Sequence, residues 1–300
     1  MSVDFGFVCS LGAPTTEAGK TLVDDNRRFL GTLKPPFTTF WVEDHFQFGE
    51  NPLLECWTAL SMYAGEFPSL RLGTIVLGQS YRNPAMTAKM AAALQWMSGG
   101  RLIFGIGAGW KEDEYLAYGY PYPKPAVRIA QLDEAIQITR KMWSETPATF
   151  EGKHYSIRNA ICTPKPNPQP PILVGGGGEQ LTMRVVARHA DWWNIGFRTS
   201  GEYAQKLDVL RGHFDKIGRD FNTLTLTYYA RVSVVRDAKD TPPQNQRMHA
   251  VAGTPEQVAA ELQEFINLGV KHIMVGFNDF PSTTGLELFQ NEVVPRLKLD

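Results

Sequence analysis

Cysteine is scarce in this chain, charge shows no excess of either sign, and long apolar runs are missing. Each shortage removes a class of protein. The three cysteines, Cys9, Cys56 and Cys162, are far apart and odd in number. They form neither a disulfide framework nor a metal-ligand spacing, which fits reduced thiols in a cytoplasmic protein. Lysine plus arginine (30) nearly balance aspartate plus glutamate (31), leaving a net charge of −1. That balance argues against a surface built for a nucleic-acid backbone. No apolar run approaches the roughly 20 residues of a membrane span. The opening MSVDFGFVCS, with an acid at Asp4 and no basic region, does not read as a secretory signal. The six histidines show no HxxxH or HExxH pairing, so no zinc site is expected.

What is present is an alternation of short β-type runs with amphipathic helices. Candidate strands are Val3–Cys9, Thr39–Glu43, Leu70–Leu77, Leu102–Gly107, Pro171–Gly175, Trp192–Ile195, Leu224–Val234 and His272–Phe277. Most are continuous apolar runs rich in Val, Ile and Phe, as parallel strands buried on both faces require. Helix starts are marked at Asn51-Pro52 and Asn83-Pro84, each an N-cap followed by proline, and at the capping box Thr254 to Gln257. After Pro84, residues Met86, Met90, Ala93, Leu94 and Met97 share one helical face. Eight strand–helix units in 300 residues predict one domain over 1–300, an α/β fold of the (β/α)8 TIM-barrel type. Two segments break the rhythm, the proline-rich 146–170 and the polar 237–251. They read as insertion loops after strands 4 and 7 that cover the catalytic face.

Active sites of such barrels collect at the C-terminal ends of the strands. After strand 2 comes Glu43-Asp44-His45-Phe46, which reads either as an acid/base set or as a polar cluster that caps a helix. Gly73 within strand 3 marks either close approach of a ligand or tight packing against a helix. Strand 4 runs into Gly105-Ile106-Gly107-Ala108-Gly109-Trp110, where alternating glycines either let a ligand lie against main chain or make a compact rim. It is not a dinucleotide fingerprint, because Trp110 stands where the last glycine is needed. Strand 5 ends in Gly175-Gly176-Gly177-Gly178 before a helix. Bare N–H groups at a helix start make an anion site; the other reading is a flexible linker. His154, His213 and His249 read as surface or loop residues, and His189 as structural.

These residues, in this order, resemble the luciferase-like monooxygenase superfamily, and within it the coenzyme F420-dependent oxidoreductase branch. The matching stretches are 41–45 (Trp-Val-Glu-Asp-His), 71–84, 94–110, 170–178 and 187–191 (Ala-Arg-His-Ala-Asp). The resemblance implies a cofactor ring over the barrel mouth, with its phosphate at Gly176, Gly177 and Gly178 and its pyrimidine edge near Gly107, Ala108 and Gly109. Thr74, Asn83, Trp110 and Gly175 are further cofactor-binding candidates on the same likeness. It implies a non-prolyl cis peptide in strand 3, at Ile75–Val76, behind the central ring. It also implies a catalytic His45, acting as acid/base, with Asp44 fixing it.

Two departures bear on chemistry. FMN-using relatives commonly hold the phosphate with an arginine between the strand-4 glycines, where this chain has Ala108. The resemblance therefore implies coenzyme F420, a deazaflavin, rather than FMN. The sugar-phosphate dehydrogenases of the branch carry a tryptophan soon after the Asp-His pair and an acid after the strand-4 motif. Here those places hold Phe46-Gln47-Phe48-Gly49 and Trp110. The implied activity is hydride transfer to or from a small, fairly apolar substrate such as an enone, imine or ketone. The alternatives are an FMN-dependent monooxygenase using O2 and a partner flavin reductase, and a non-catalytic barrel that binds a phosphorylated ligand. A homodimer is implied by the resemblance alone.

Overall fold

A computed structural model describes residues 2–243 and 251–300. Eight parallel strands run β1 (Asp4–Val8), β2 (Phe37–Val42), β3 (Arg71–Thr74, extended by Leu77–Gly78), β4 (Leu102–Gly107), β5 (Ile172–Gly175), β6 (Trp192–Gly196), β7 (Thr225–Val234) and β8 (His272–Phe277). Each pairs with its sequence neighbours, β7 lying between β6 and β8, and β8 returns to β1 through the register Asp4↔His272 to Phe7↔Val275. The ring is closed. All eight predicted strands are strands of this barrel, and its helices lie outside, between successive strands.

Two cores explain the layering. Between strands and helices, Phe5, Phe7, Phe40, Phe104 and Trp193 pack with Leu132, Ile136, Leu262 and Phe265 in one continuous apolar layer. Inside the ring a smaller cluster of Val8, Trp41, Ile75, Ile103, Leu173, Tyr229 and Met274 fills the barrel. Trp41 sets its geometry. A Cβ on Gly6 would lie 2.2 Å, and one on Gly73 2.3 Å, from the Trp41 indole. Gly73 is thus a packing glycine, but against Trp41 inside the barrel rather than against a helix. Trp41 Nε1 donates to His272 Nε2 (3.0 Å), whose Nδ1 bonds Asp4 Oδ1 (2.5 Å). This network plugs the N-terminal end of the barrel and leaves the C-terminal end to open.

Several local expectations are corrected by longer-range contacts. The Asn51-Pro52 signal starts no helix; the helix Cys56–Glu66 begins later, where the Glu55 carboxylate accepts from Trp57 and Thr58 N–H. The helix Pro84–Met97 is capped by Asn83 as predicted, but it buries Ala88, Ala91 and Ala92 with Leu94. Met86 and Met97 are 57% and 81% exposed, so these two point outward, while Met90 is half-buried against the core. The capping box of Thr254 and Gln257 forms as read, starting the helix Pro255–Asn267.

The two predicted insertions do not both cover the mouth. Segment 146–170 follows the long helix Pro125–Ser144 and forms an antiparallel hairpin, Ala148–Glu151 with Ser156–Ala160. Glu134 of that helix accepts from Lys153, His154 and Tyr155 N–H, holding the hairpin against the helix, and none of its residues reaches the cavity described below. After β4 the cavity wall is built instead from residues 107–111, just before the short helix Glu112–Ala117. In the second segment, Val251–Gly253 extends the sheet beside the end of β7. Residues 244–250, including His249, lie outside the described residues.

Candidate active site

A cavity of about 500 Å³ opens at the C-terminal ends of the strands, a volume suited to a cofactor-sized ligand. Its wall is assembled from chain segments that are distant in sequence: Glu43–His45, 75–78 with Tyr81, 107–111, Gly175–Gly176, Thr182, 194–197, Tyr229, and Pro125, Arg128 and Ile129 from the start of the Pro125–Ser144 helix. Of the predicted cofactor and catalytic residues, Asp44, His45, Ile75, Val76, Gly107, Ala108, Gly109, Trp110, Gly175 and Gly176 face it.

Four predicted site residues stand elsewhere. Thr74 is fully buried, and its hydroxyl donates to Gly105 O (2.7 Å) while accepting from Gly105 N (3.1 Å), locking β3 to β4. Asn83 spends its side-chain oxygen on Ala85 and Met86 N–H as a helix cap. Gly177 and Gly178 are not among the lining residues; a Cβ on them would lie 2.3 Å from Ile195 Cδ1 and 2.8 Å from Thr182 Oγ1, respectively. The Ile75–Val76 peptide is cis, as the resemblance implied. Val76 then reaches across the mouth, its methyl carbons 2.6 Å and 2.9 Å from where Cβ atoms of Gly107 and Gly175 would be. Of the alternating glycines of β4, Gly107 makes room for Val76 and Gly105 for the Thr74 carbonyl, while Gly109 beyond the strand end makes room for the Tyr115 hydroxyl.

Asp44 does not fix His45. It is 4% exposed and takes a two-pronged ion pair from Arg82 (2.8 and 3.0 Å), plus the Gly78 N–H (2.9 Å). Arg82 also donates to Glu55 (2.6 Å). The set ties the ends of β2 and β3 to the following helix. His45 instead bonds Glu114, with Nδ1 to Oε1 at 2.9 Å. Its ring lies 4.8 Å from Phe48 and 5.6 Å, edge-on, from Trp110. The residue that reaches His45 is 69 positions away in sequence, so no local spacing announced it.

Gly175 leaves β5, and Gly176 takes φ +128°, a conformation that a side chain would strain. The chain then turns into the helix Thr182–His189, and Thr182 lines the cavity. Among the described residues the N–H groups from Gly177 to Thr182 make no hydrogen bond to the chain. On the same cavity wall lies Arg128, only 6% exposed and packed over the Tyr122 ring at 4.0 Å. One of its terminal nitrogens donates to Pro123 O, and its buried Nε has no partner. A buried guanidinium left with an unused donor is costly unless an acceptor arrives. Arg128 stands in the first turn of the helix Pro125–Ser144 with no motif around it, so only the fold shows that it belongs to the mouth.

Glu43 is the remaining acid of the wall. Burial pushes its carboxyl above the ordinary value of 4.5, with the positive charges of Arg231 and His45 opposing in part. A raised folded-state value means that this group favours folding while protonated, below 4.5. That stability is lost as pH rises through the folded-state value. Glu43→Gln removes the loss. The melting temperature of the variant relative to the wild type should therefore rise between acid and mildly alkaline pH, and a difference that stays flat or falls would contradict the assignment.

Residues 36–241 match the family described as luciferase-like monooxygenase. A curated relative, an F420-dependent glucose-6-phosphate dehydrogenase of Kineococcus radiotolerans, is 28% identical, and the match covers 86% of this chain and 88% of that protein. Among solved structures, an F420-dependent secondary alcohol dehydrogenase in complex with an F420–acetone adduct superposes with a TM-score of 0.83 at 19% identity, covering 99% of this chain and all of the other. The FMN-bound oxygenating constituent of 3,6-diketocamphane monooxygenase from Pseudomonas putida superposes at 0.80 with 16% identity, covering 100% and 99%. At those identities the superpositions establish the shared barrel.

Proposed function

The chain belongs to the luciferase-like monooxygenase family, and from that premise we propose that it is a coenzyme F420-dependent oxidoreductase that moves a hydride to or from a small, fairly apolar substrate. The observation that carries the reading is the corner from Gly176 to Thr182 together with Arg128. Among the described residues the N–H groups from Gly177 to Thr182 make no hydrogen bond to the chain, and the buried Arg128 guanidinium has an Nε without a partner, the donor set that a phosphate satisfies. The F420-dependent relative that aligns over most of both chains supports the deazaflavin.

When bound, a deazaflavin supplies the carbon centre that accepts or gives the hydride. The rest is done by side chains. Arg128 and the glycine corner hold the phosphate. Ile75 and Val76 form an apolar wall, and the main chain of Gly107 to Gly109 offers an edge against which a flat ring can lie. His45 holds or releases the proton that accompanies hydride movement. Phe48 and Trp110 beside His45, with Ile129 and Phe197 elsewhere on the cavity wall, give the mouth its apolar character, which is what the substrate class rests on.

A second reading, an FMN-dependent monooxygenase supplied by a flavin reductase, is favoured by one observation. Arg128 provides the cation that Ala108 lacks, so the absence of an arginine between the strand-4 glycines does not disfavour FMN. The first test is of the cradle itself. Arg128→Met should weaken F420 binding about 10- to 150-fold, the loss of charge-assisted bonds of roughly 1.5–3 kcal/mol. Titration of the folded variant with unchanged affinity would remove Arg128 from the site.

A further inference from the structure

Glu114 has no role in the reading above, yet it is fully buried beside the cavity. Its two oxygens are both used: Oε1 by His45 Nδ1 at 2.9 Å, Oε2 by the Tyr81 hydroxyl at 2.9 Å. Lys111 Nζ lies 3.6 Å from Oε1 and supplies a positive charge to the same carboxylate. Tyr81 can only donate to this group, because a carboxylate is an acceptor. The partner of an acceptor must carry the hydrogen, so the His45 proton sits on Nδ1. His45 Nε2 has no hydrogen-bond partner among the described residues, and the ring lines the cavity.

We infer that Glu114 is the positioning residue of the site: it fixes His45 in the Nδ1–H tautomer and leaves Nε2 as the nitrogen that takes a proton from the substrate. The inference deepens the proposed oxidoreductase and rests on it for its kinetic consequence, but not for the tautomer itself. In substrate oxidation, with a deazaflavin supplying the hydride acceptor, a hydroxyl would give its proton to Nε2 as its carbon gives up the hydride, leaving a carbonyl and an imidazolium. Glu114 faces that imidazolium through Nδ1–H and stabilises the charge, a task that the Arg82-bound Asp44 does not perform. The aromatic contacts of Phe48 and Trp110 restrict ring rotation, so Glu114 decides which nitrogen carries hydrogen and the aromatic rings decide where the ring points.

The test uses the full chain without cofactor. Histidine is isotope-labelled and read by nitrogen NMR at mildly alkaline pH, with the His45 signals identified by their loss in His45→Ala. The wild type should show a protonated Nδ1 and an unprotonated Nε2, and Glu114→Gln should shift the ring toward the Nε2–H form. Tyr81→Phe, which leaves the carboxylate in place, should keep the wild-type tautomer. A wild-type His45 in the Nε2–H form overturns the inference even if the Gln variant does not fold, and so does an unaltered tautomer in folded Glu114→Gln. In F420-dependent turnover, Glu114→Gln should lower kcat by about tenfold or more with KM little changed, and should cost nothing further in the His45→Ala background. An equal loss in that background would assign Glu114 to stability alone. If the wild type binds no F420, the proposed function fails while the NMR result still decides the tautomer.

Discussion

Replacing His45 with alanine should lower F420-dependent kcat by about 10²- to 10⁴-fold, the usual contribution of a positioned acid or base, and leave cofactor affinity almost untouched. The expectation follows from the separation of two tasks in the mouth. His45 contacts Glu114, Phe48 and Trp110, whereas the phosphate cradle is built from β5, Thr182 and Arg128. Losing the imidazole removes the proton acceptor without removing a donor from the cradle. Binding would be followed by fluorescence titration and turnover by the absorbance of the coenzyme. Unchanged kcat would contradict the role, and so would a loss of affinity that accounts for the whole loss of activity.

Asp44→Ala should act on a different quantity. Asp44 and Arg82 form a buried two-pronged pair, and removing one partner leaves the other charged and poorly solvated, at a typical cost of 3–5 kcal/mol. Glu55 remains as a partner for Arg82, which places the expected loss near the lower end, about 3 kcal/mol, or a fall in melting temperature of roughly 6–12 °C. Folded variant protein should still turn over substrate. A variant as stable as the wild type but inactive would return Asp44 to the catalytic role that its position beside His45 first suggested.

The eight strands were legible because a parallel strand buried on both faces must be apolar at nearly every position, and runs such as Leu102–Gly107 leave no other reading. The capping box at Thr254 was legible for a local reason too, since its bonds close within four residues. The errors share the opposite property. Asn51-Pro52 looks like a helix start until the isolated bridge between Gly12 and Leu53 holds that stretch extended. The methionines after Pro84 form a good helical stripe, but the alanines beside them allow closer approach to the barrel and take the buried face. Asp44 stands next to His45 in sequence, yet Arg82 claims it, and Glu114 arrives from the far side of β4. Arg128 had no motif to mark it. Its place in the site comes only from the fold, which brings the start of a helix to the cavity that the end of β5 also lines.

Titration of the wild-type chain with coenzyme F420 and with FMN, side by side, tests the central claim most directly. If the glycine corner and Arg128 hold a deazaflavin, F420 binds saturably and more tightly than FMN, and Arg128→Met weakens it. Tighter binding of FMN, or no binding of either, would contradict the account.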